Sequence, residues 1–518
     1  MLGWLIAAAN PGKFMGRLPA ALASLLIMLA VPAAAQTLRI GLQEDPDTLD
    51  GAKNWSFVGR NVMTSICDKL VDIAPDASIV PMLATGWETS ADGKAITFKL
   101  RPGVRFHDGE PFDAAAVKFS LDRALTLPDS RRKSEISAIK DVEVVDDLTV
   151  RVEMATPFSP LLAQFADRAG IMVSPKAAQA LGDQFGNKPV CAGPYRFVER
   201  VAQDRIVLER FADYWDKEHY FIQRIVLLPM PDATVRFANL RAGQLDMIER
   251  LSPTDIDTLR KSDKLAVSAI TGLGYQGITF NIANGPRAAN PFGRDKRVRA
   301  ALDLAIDRKI LNEVVNGGEF QIGNQAVPPT SFYYDQALPV PPRDVEGAKA
   351  LLKEAGVTNP TITLLVPNAD GDRQSAEVIQ SMAREAGIEV KVQLTEFITM
   401  LQQAHDGTFD ADYVGWSGRI DPDANIHTLL GCKVPGNDGH YCNQELETLL
   451  QAARLTGDRD ARKKAYEGVA RILADERPII YLWHQKWIWG LSADLKGYVP
   501  YPDGLIRLRD VKYKSGRM

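Results

Sequence analysis

"ITLLVPNADGDRQSAEVIQSMAREAGIEVKVQLTEFITMLQQAHDGTFDADYVGW", residues 362–416, changes its hydrophobic period four times. ITLLV (362–366) is a short apolar run of strand length. RQSAEVIQSMAREAG has helical spacing and stops at Gly387. IEVKVQL (388–394) alternates apolar and polar residues with a period of two. TEFITMLQQAHDG reads as a second helix, and DADYVGW (410–416) as a third strand. Strand–helix–strand–helix–strand predicts an α/β sheet with helices on its faces. In such sheets ligands bind beyond the carboxyl ends of the strands. The next residues, Ser417, Gly418, Arg419, Ile420 and Asp421, lie at such an end. An aromatic, a hydroxyl, a glycine and a guanidinium together there read either as a polar turn or as a ligand anchor.

The first half is organised differently. TLRIGL (37–42), AITFKL (95–100), LTVRVEM (148–154), RIVLERF (205–211) and RIVLLPM (224–230) read as strands. Between the second and third, FDAAAVKFSLDRAL places the N-cap residue Asp113 before an apolar face of Val117, Leu121, Ala124 and Leu125. No internal repeat or low-complexity tract interrupts the chain.

At 518 residues, the chain has length for two or three domains. Its net charge is −4. Residues 1–35 hold Lys13, Arg17 and no acid, so without them the count falls from 61 to 59 bases against 65 acids, or −6. That balance, with no basic stripe, argues against a nucleic-acid partner. Those 35 residues read as a secretory signal peptide: Arg17, an apolar run from Ala20 to Val31, then Ala33-Ala34-Ala35 before Gln36. The run is short for a bilayer span, and no cysteine follows it to carry a lipid. Met15 is a more natural start than Met1, because it shortens the n-region.

Export makes disulfides the leading reading for the four cysteines. Cys432 and Cys442 flank a short Pro/Gly/Asn/Asp loop. Zinc is the rival, since His427 and His440 lie close by, but the spacings are unlike structural zinc pairs. Cys67 and Cys191 remain as a second pair by parity alone. His107, Asp108 and Glu110 read either as a metal cluster or as a turn before the Asp113-capped helix. No Gly-x-Ser-x-Gly elbow or His-Glu-x-x-His helix supports an exported hydrolase.

Seven blocks resemble, in order, the dipeptide/oligopeptide/nickel class of periplasmic solute-binding proteins (family 5). They are LRPGVRFHDGEPFDAAAVKFSLDRAL (100–125), CAGPYRF (191–197), LRAGQLDMI (240–248), residues 277–292, KRVRAALDLAIDRKILNEVV (296–315), VEGAKALLKEAG (345–356) and DGTFDADYVGWSG (406–418). The resemblance covers nearly the whole chain after residue 35. It implies a two-lobed α/β periplasmic binding protein with a hinge between lobes and an extra subdomain in lobe I. Lobe I would span 36–278 with the subdomain about 79–195, lobe II 279–485, and 486–518 would return to lobe I. It further implies a periplasmic monomer, without enzymatic activity, cofactor or bound metal, that delivers a peptide or small molecule to the membrane permease of an ABC importer. A sensor role with the same fold stays open, as do a metal chelate, an opine or a sugar-phosphate-like solute.

The resemblance also points to places where ligands are held. In KNWSFVG these are Trp55 and Ser56, against a simple helix start. In GLGYQGITFN it is Tyr275, against core packing. In DRAGIMVSP it is Arg168, against a solvated charge. In GWSGRID they are Trp416, Ser417, Gly418, Arg419 and Asp421. Peptide-binding members often carry an aspartate where this chain has Arg419. An arginine fork suits a carboxylate or phosphate instead, and Asp421 or Asp423 could serve an amine or neutralise Arg419. The expected solute is therefore acid-bearing.

Overall fold

The structure is a computed structural model that describes residues 36–514. The expected signal peptide lies outside the described residues. Among the described residues no helix is long and apolar enough to cross a membrane.

Three sheets organise the chain. A seven-stranded sheet runs in the order Leu265–Thr271, Lys486–Ser492, Met247–Ile248, Thr37–Leu42, Arg224–Pro229, Arg205–Arg210, Tyr195–Val201. A four-stranded antiparallel sheet, Ala84–Thr89, Ala95–Leu100, Thr149–Met154 and Ile139–Asp146, is inserted between its strands in sequence. That insert has its own core, where Phe98, Phe106, Val117, Leu121 and Val150 are buried. The helix Ala114–Thr126 supplies two of these side chains, and Asp113 caps it by accepting from the Ala116 amide at 2.8 Å.

The six-stranded sheet runs in the order Gln321–Ile322, Ile479–His484, Tyr275–Phe280, Ala411–Trp416, Thr361–Pro367, Glu389–Thr395. Its last three strands are mutually parallel and joined by the helices Asp370–Glu385 and Phe397–His405. Crossovers between parallel strands bring the carboxyl ends of all three strands to one edge. Ile362, Leu364 and Val366 face a core shared with Ile379, Ala383 and Val390, which is why the apolar runs there are nearly continuous.

The chain leaves the seven-stranded sheet after Thr271 and enters the six-stranded sheet at Tyr275; it returns through a single residue, Gln485. The two passages touch. The Gly272 amide donates to the Gln485 carbonyl at 2.8 Å, and the His484 ring Nδ1 lies 2.6 Å from the Gly274 carbonyl oxygen. A Cβ on Gly274 would fall 1.7 Å from the Trp416 carbonyl oxygen, so the passage runs hard against the strand end that begins the Trp416–Asp421 loop.

Two disulfides are formed. Cys67, at the end of the helix Phe57–Ile66, is joined to Cys191, and Cys432 to Cys442, with Cα separations of 4.9 and 4.8 Å.

Candidate functional site

Arginines from four segments converge on one carboxylate. Ser56 caps the helix Phe57–Ile66 by accepting from the Gly59 amide and donating to Asp47. One turn on, Arg60 Nε donates to Asp167 Oδ1 at 2.8 Å. Asp167 itself opens the turn Arg168–Gly170, accepting from the Arg168 amide. Arg168 Nη1 and Arg132 Nη2 both donate to the Asn54 carbonyl at 3.1 Å, and Arg132 also pairs with Glu135. All of these residues belong to the part of the chain built around the seven- and four-stranded sheets.

The fourth arginine comes from the six-stranded side. Arg419 Nε lies 2.7 Å from Asp167 Oδ2. Its loop is fixed by Asn425, whose Oδ1 accepts from the Arg419 amide at 2.7 Å and from Trp416 Nε1 at 2.9 Å, and whose Nδ2 donates to the Arg419 carbonyl at 2.8 Å. The guanidinium lies 4.9 Å from the Trp416 ring centre and donates to the Gly418 carbonyl and Ser417 Oγ. Gly418 has φ +83°, and a Cβ there would sit 2.2 Å from the Leu273 carbonyl carbon. That glycine lets the loop pass the Gly272–Gly274 link, a backbone-to-backbone approach.

Four guanidiniums thus face two carboxylates, Asp167 and Glu135. Arg60, Arg132, Arg168 and Asp167 are all under one-tenth exposed. Three buried nitrogens, Arg60 Nη1, Arg132 Nε and Arg168 Nε, have no hydrogen-bond partner. Burial alone would raise the Asp167 carboxyl; the charges of Arg60, Arg419, Arg168 and Arg132 overcome it and hold Asp167 well below the carboxylate range. Burial, reinforced by repulsion from Arg60, presses the Arg419 guanidinium down to about 10. Burial and then Arg132 press Arg168 down as well. A guanidinium keeps its proton at neutral pH, so the cluster holds more positive than negative charge. Arg60, Asp167, Leu273, Arg419, Asp421 and Asp503 share the wall of a small, partly open pocket.

Arg419 does not serve Asp421 or Asp423, since each has its own arginine. Asp421 is held by Arg462 Nη2 at 2.7 and 2.8 Å and also accepts from the Asp423 amide at 2.9 Å, and Asp423 is held by Arg454 at 2.7 and 3.1 Å. Ser56 is engaged in capping, and Trp55 is 48% exposed with Arg131 over its ring. Tyr275 is buried edge-on against Tyr481, with ring centres 4.7 Å apart. His107, Asp108 and Glu110 form the turn: His107 Nε2 lies 3.0 Å from the Gly193 carbonyl oxygen, Asp108 accepts from Ser174 and Glu110 pairs with Lys176. Among the described residues no group of three His, Cys, Asp or Glu side chains is placed to hold a metal.

Arg60, Arg132, Asp167 and Asn425 were not singled out in the sequence. Arg60 lies one turn beyond the cap that Ser56 forms, and Asp167 immediately precedes Arg168, but nothing in either neighbourhood announces that they meet.

The descriptor "bacterial extracellular solute-binding proteins, family 5 middle" matches residues 78–437. This chain belongs to that family. The glutathione-binding protein GsiB of Pectobacterium atrosepticum is 31% identical over 499 residues, 93% of this chain and 95% of that one. A dipeptide-binding protein from Pseudoalteromonas sp. SM9913, solved in complex with Met-Leu, superposes with a TM-score of 0.83 at 26% identity, covering 92% of this chain and all of that one. The periplasmic binding protein AgaA from A. tumefaciens R10, solved with agropinic acid, has a TM-score of 0.81 at 26% identity over 93% and 99% of the two chains. This member of family 5 therefore has the two-lobed α/β fold of periplasmic binding proteins, with the four-stranded insert as its extra subdomain, and is a solute-binding protein of ABC importers. Its relatives are binding proteins of transporters rather than enzymes.

Proposed function

We propose that this family 5 protein captures a peptide or peptide-like, acid-bearing solute in the periplasm and hands it unchanged to the membrane permease of an ABC importer. The observation that carries this reading is the Arg419–Asp167 pair, an ion pair with side chains 13% and 9% exposed, formed between the two sides of the cleft within a cluster that has positive charge to spare. An acidic group entering between the walls would find donors on both, and a ligand drives closure only through contacts that differ between open and closed states. On this reading the lobes part at Gly272–Gly274 and Gln485, where the chain changes sheets. The glutathione and Met-Leu bound by its relatives are peptides with free carboxylates, which fits the same cluster. AgaA's agropinic acid favours a second reading, an opine-like acid in the same place.

Native mass spectrometry of the purified protein tests this directly. The expected result is a retained small anion, or uptake of added dipeptide or glutathione, released without chemical change. A protein that binds neither peptides nor opine acids, or that returns an altered ligand, overturns the proposal.

A further inference from the structure

We propose that the solute carries two carboxylates, and that Arg60 takes the second from the wall opposite Arg419. This rests on the acid-binding reading just given and narrows it to a class: small peptides or amino-acid conjugates with two acid groups.

Asp167 engages Arg60 and Arg419 alike through Nε, one on each carboxylate oxygen, at 2.8 and 2.7 Å. Both arginines line the same cavity. Binding through Nε leaves Arg60 Nη1 buried without a partner, and a buried donor left in that state is costly unless something comes to accept from it. Arg132 and Arg168 stand beside Arg60, and each also has a buried, unpartnered Nε. The other acids on the cavity wall do not alter the balance. Asp421 is held by Arg462, and Asp503 by Arg507 at 2.8 and 2.9 Å. One carboxylate entering the cleft would leave a net positive charge among buried groups, where the low dielectric makes it expensive. A second carboxylate meets Arg60 Nη1 and offsets more of that charge. A peptide's terminal carboxylate supplies the first and an acidic side chain the second.

The test is calorimetric titration of the mature protein with Ala-Ala and with Ala-Asp at neutral pH. Ala-Asp is expected to bind roughly tenfold or more tightly, the value of one further hydrogen bond to a charged group. In Arg60→Gln the ratio should fall to about one, and in Arg60→Lys it should be intermediate because the charge stays while the fork is lost. Thermal melts establish that each variant is folded. Glu135→Gln gives an independent check that spares Asp167: removing one of the two acids should widen the preference for Ala-Asp. Equal affinities in the unmodified protein, or an Arg60→Gln ratio unchanged from it, overturn the inference while leaving the solute class intact. If neither peptide binds, the dipeptide reading falls and the inference with it.

Discussion

At the scale of single residues, the proposed site rests chiefly on Arg419. Its side chain is 13% exposed, paired across the cleft with Asp167 and fixed by Asn425, so little entropy remains to be lost when a solute arrives. A hydrogen bond to a charged group is worth about 1.5–3 kcal/mol. Arg419→Ala should therefore weaken binding of an acidic solute by roughly ten- to a hundredfold, with Arg419→Lys recovering part of it, as read by calorimetry. Unchanged affinity in Arg419→Ala would remove it from the site. Asp412 makes a different prediction. It lies in the buried strand Ala411–Trp416 with Oδ1 unpartnered. Burial first, then Asp438, pushes its carboxyl up to about 8, against a hydrogen bond from Thr279. A carboxyl raised in the folded state contributes stability below its unfolded value near 4, and that stability is lost as pH rises through 8. Asp412→Asn should then raise the melting temperature at pH 8 and change it little at pH 4. A variant that melts lower at both pH values would mean that the carboxyl is satisfied as it stands.

At the scale of elements, the extra subdomain is tied to the six-stranded side by the end of a helix. The helix Gln444–Leu455 closes in the extended residue Thr456, which returns no amide to the last turn. The carbonyls there would otherwise look to water. Instead Ser159 donates its amide to the Arg454 carbonyl at 2.8 Å and its hydroxyl to the Ala453 carbonyl at 3.1 Å. The Arg454 guanidinium stands 5.2 Å from the Phe158 ring centre. These contacts exist only when the two sides of the cleft meet, and none involves the cavity wall. Replacing Phe158 and Ser159 together by Ala should raise the solute's dissociation rate severalfold and leave association almost unchanged, since interface changes act mostly through dissociation. Stopped-flow traces with equal dissociation rates would show that the contact does not hold the cleft shut.

At the scale of the whole molecule, among the described residues the two sides share two covalent passages, which meet at Gly272, Gly274, His484 and Gln485. Rigid sheets joined by short glycine-bearing links are suited to hinge closure, and ligand bound between them should raise the melting temperature by mass action. The disulfides sit within each side and not across the cleft: Cys67–Cys191 ties the helix that carries Arg60, and Cys432–Cys442 closes a loop beside the helix Gln444–Leu455. Thiol titration of denatured, unreduced protein should find none free. Reduction should lower the melting temperature while the reduced, still folded protein keeps its affinity; lost affinity in that folded form would mean that the Cys67 bridge positions Arg60.

Local patterns were enough for much of this. The alternation in residues 362–416, the Asp113 cap and the strand runs of the first half depend on neighbours in sequence, and period and capping chemistry report those directly. The arginine after Gly418 could likewise be assigned to a strand end. What could not be read locally was Arg419's partner. Asp421 and Asp423 are nearest in sequence and were the natural choices, yet Arg462 and Arg454 occupy them, and Asp167 arrives from a distant turn. The same holds for Gly418, whose open backbone faces Leu273 and Gly274, and for Arg60, which is an ordinary helical residue until Asp167 is folded against it. Burial and pairing of charge are set by which segments meet, and the energy of a buried ion depends on all its neighbours at once. Secondary structure is written in the order of the residues; the charge surplus of the cleft exists only where four separate segments have been brought together.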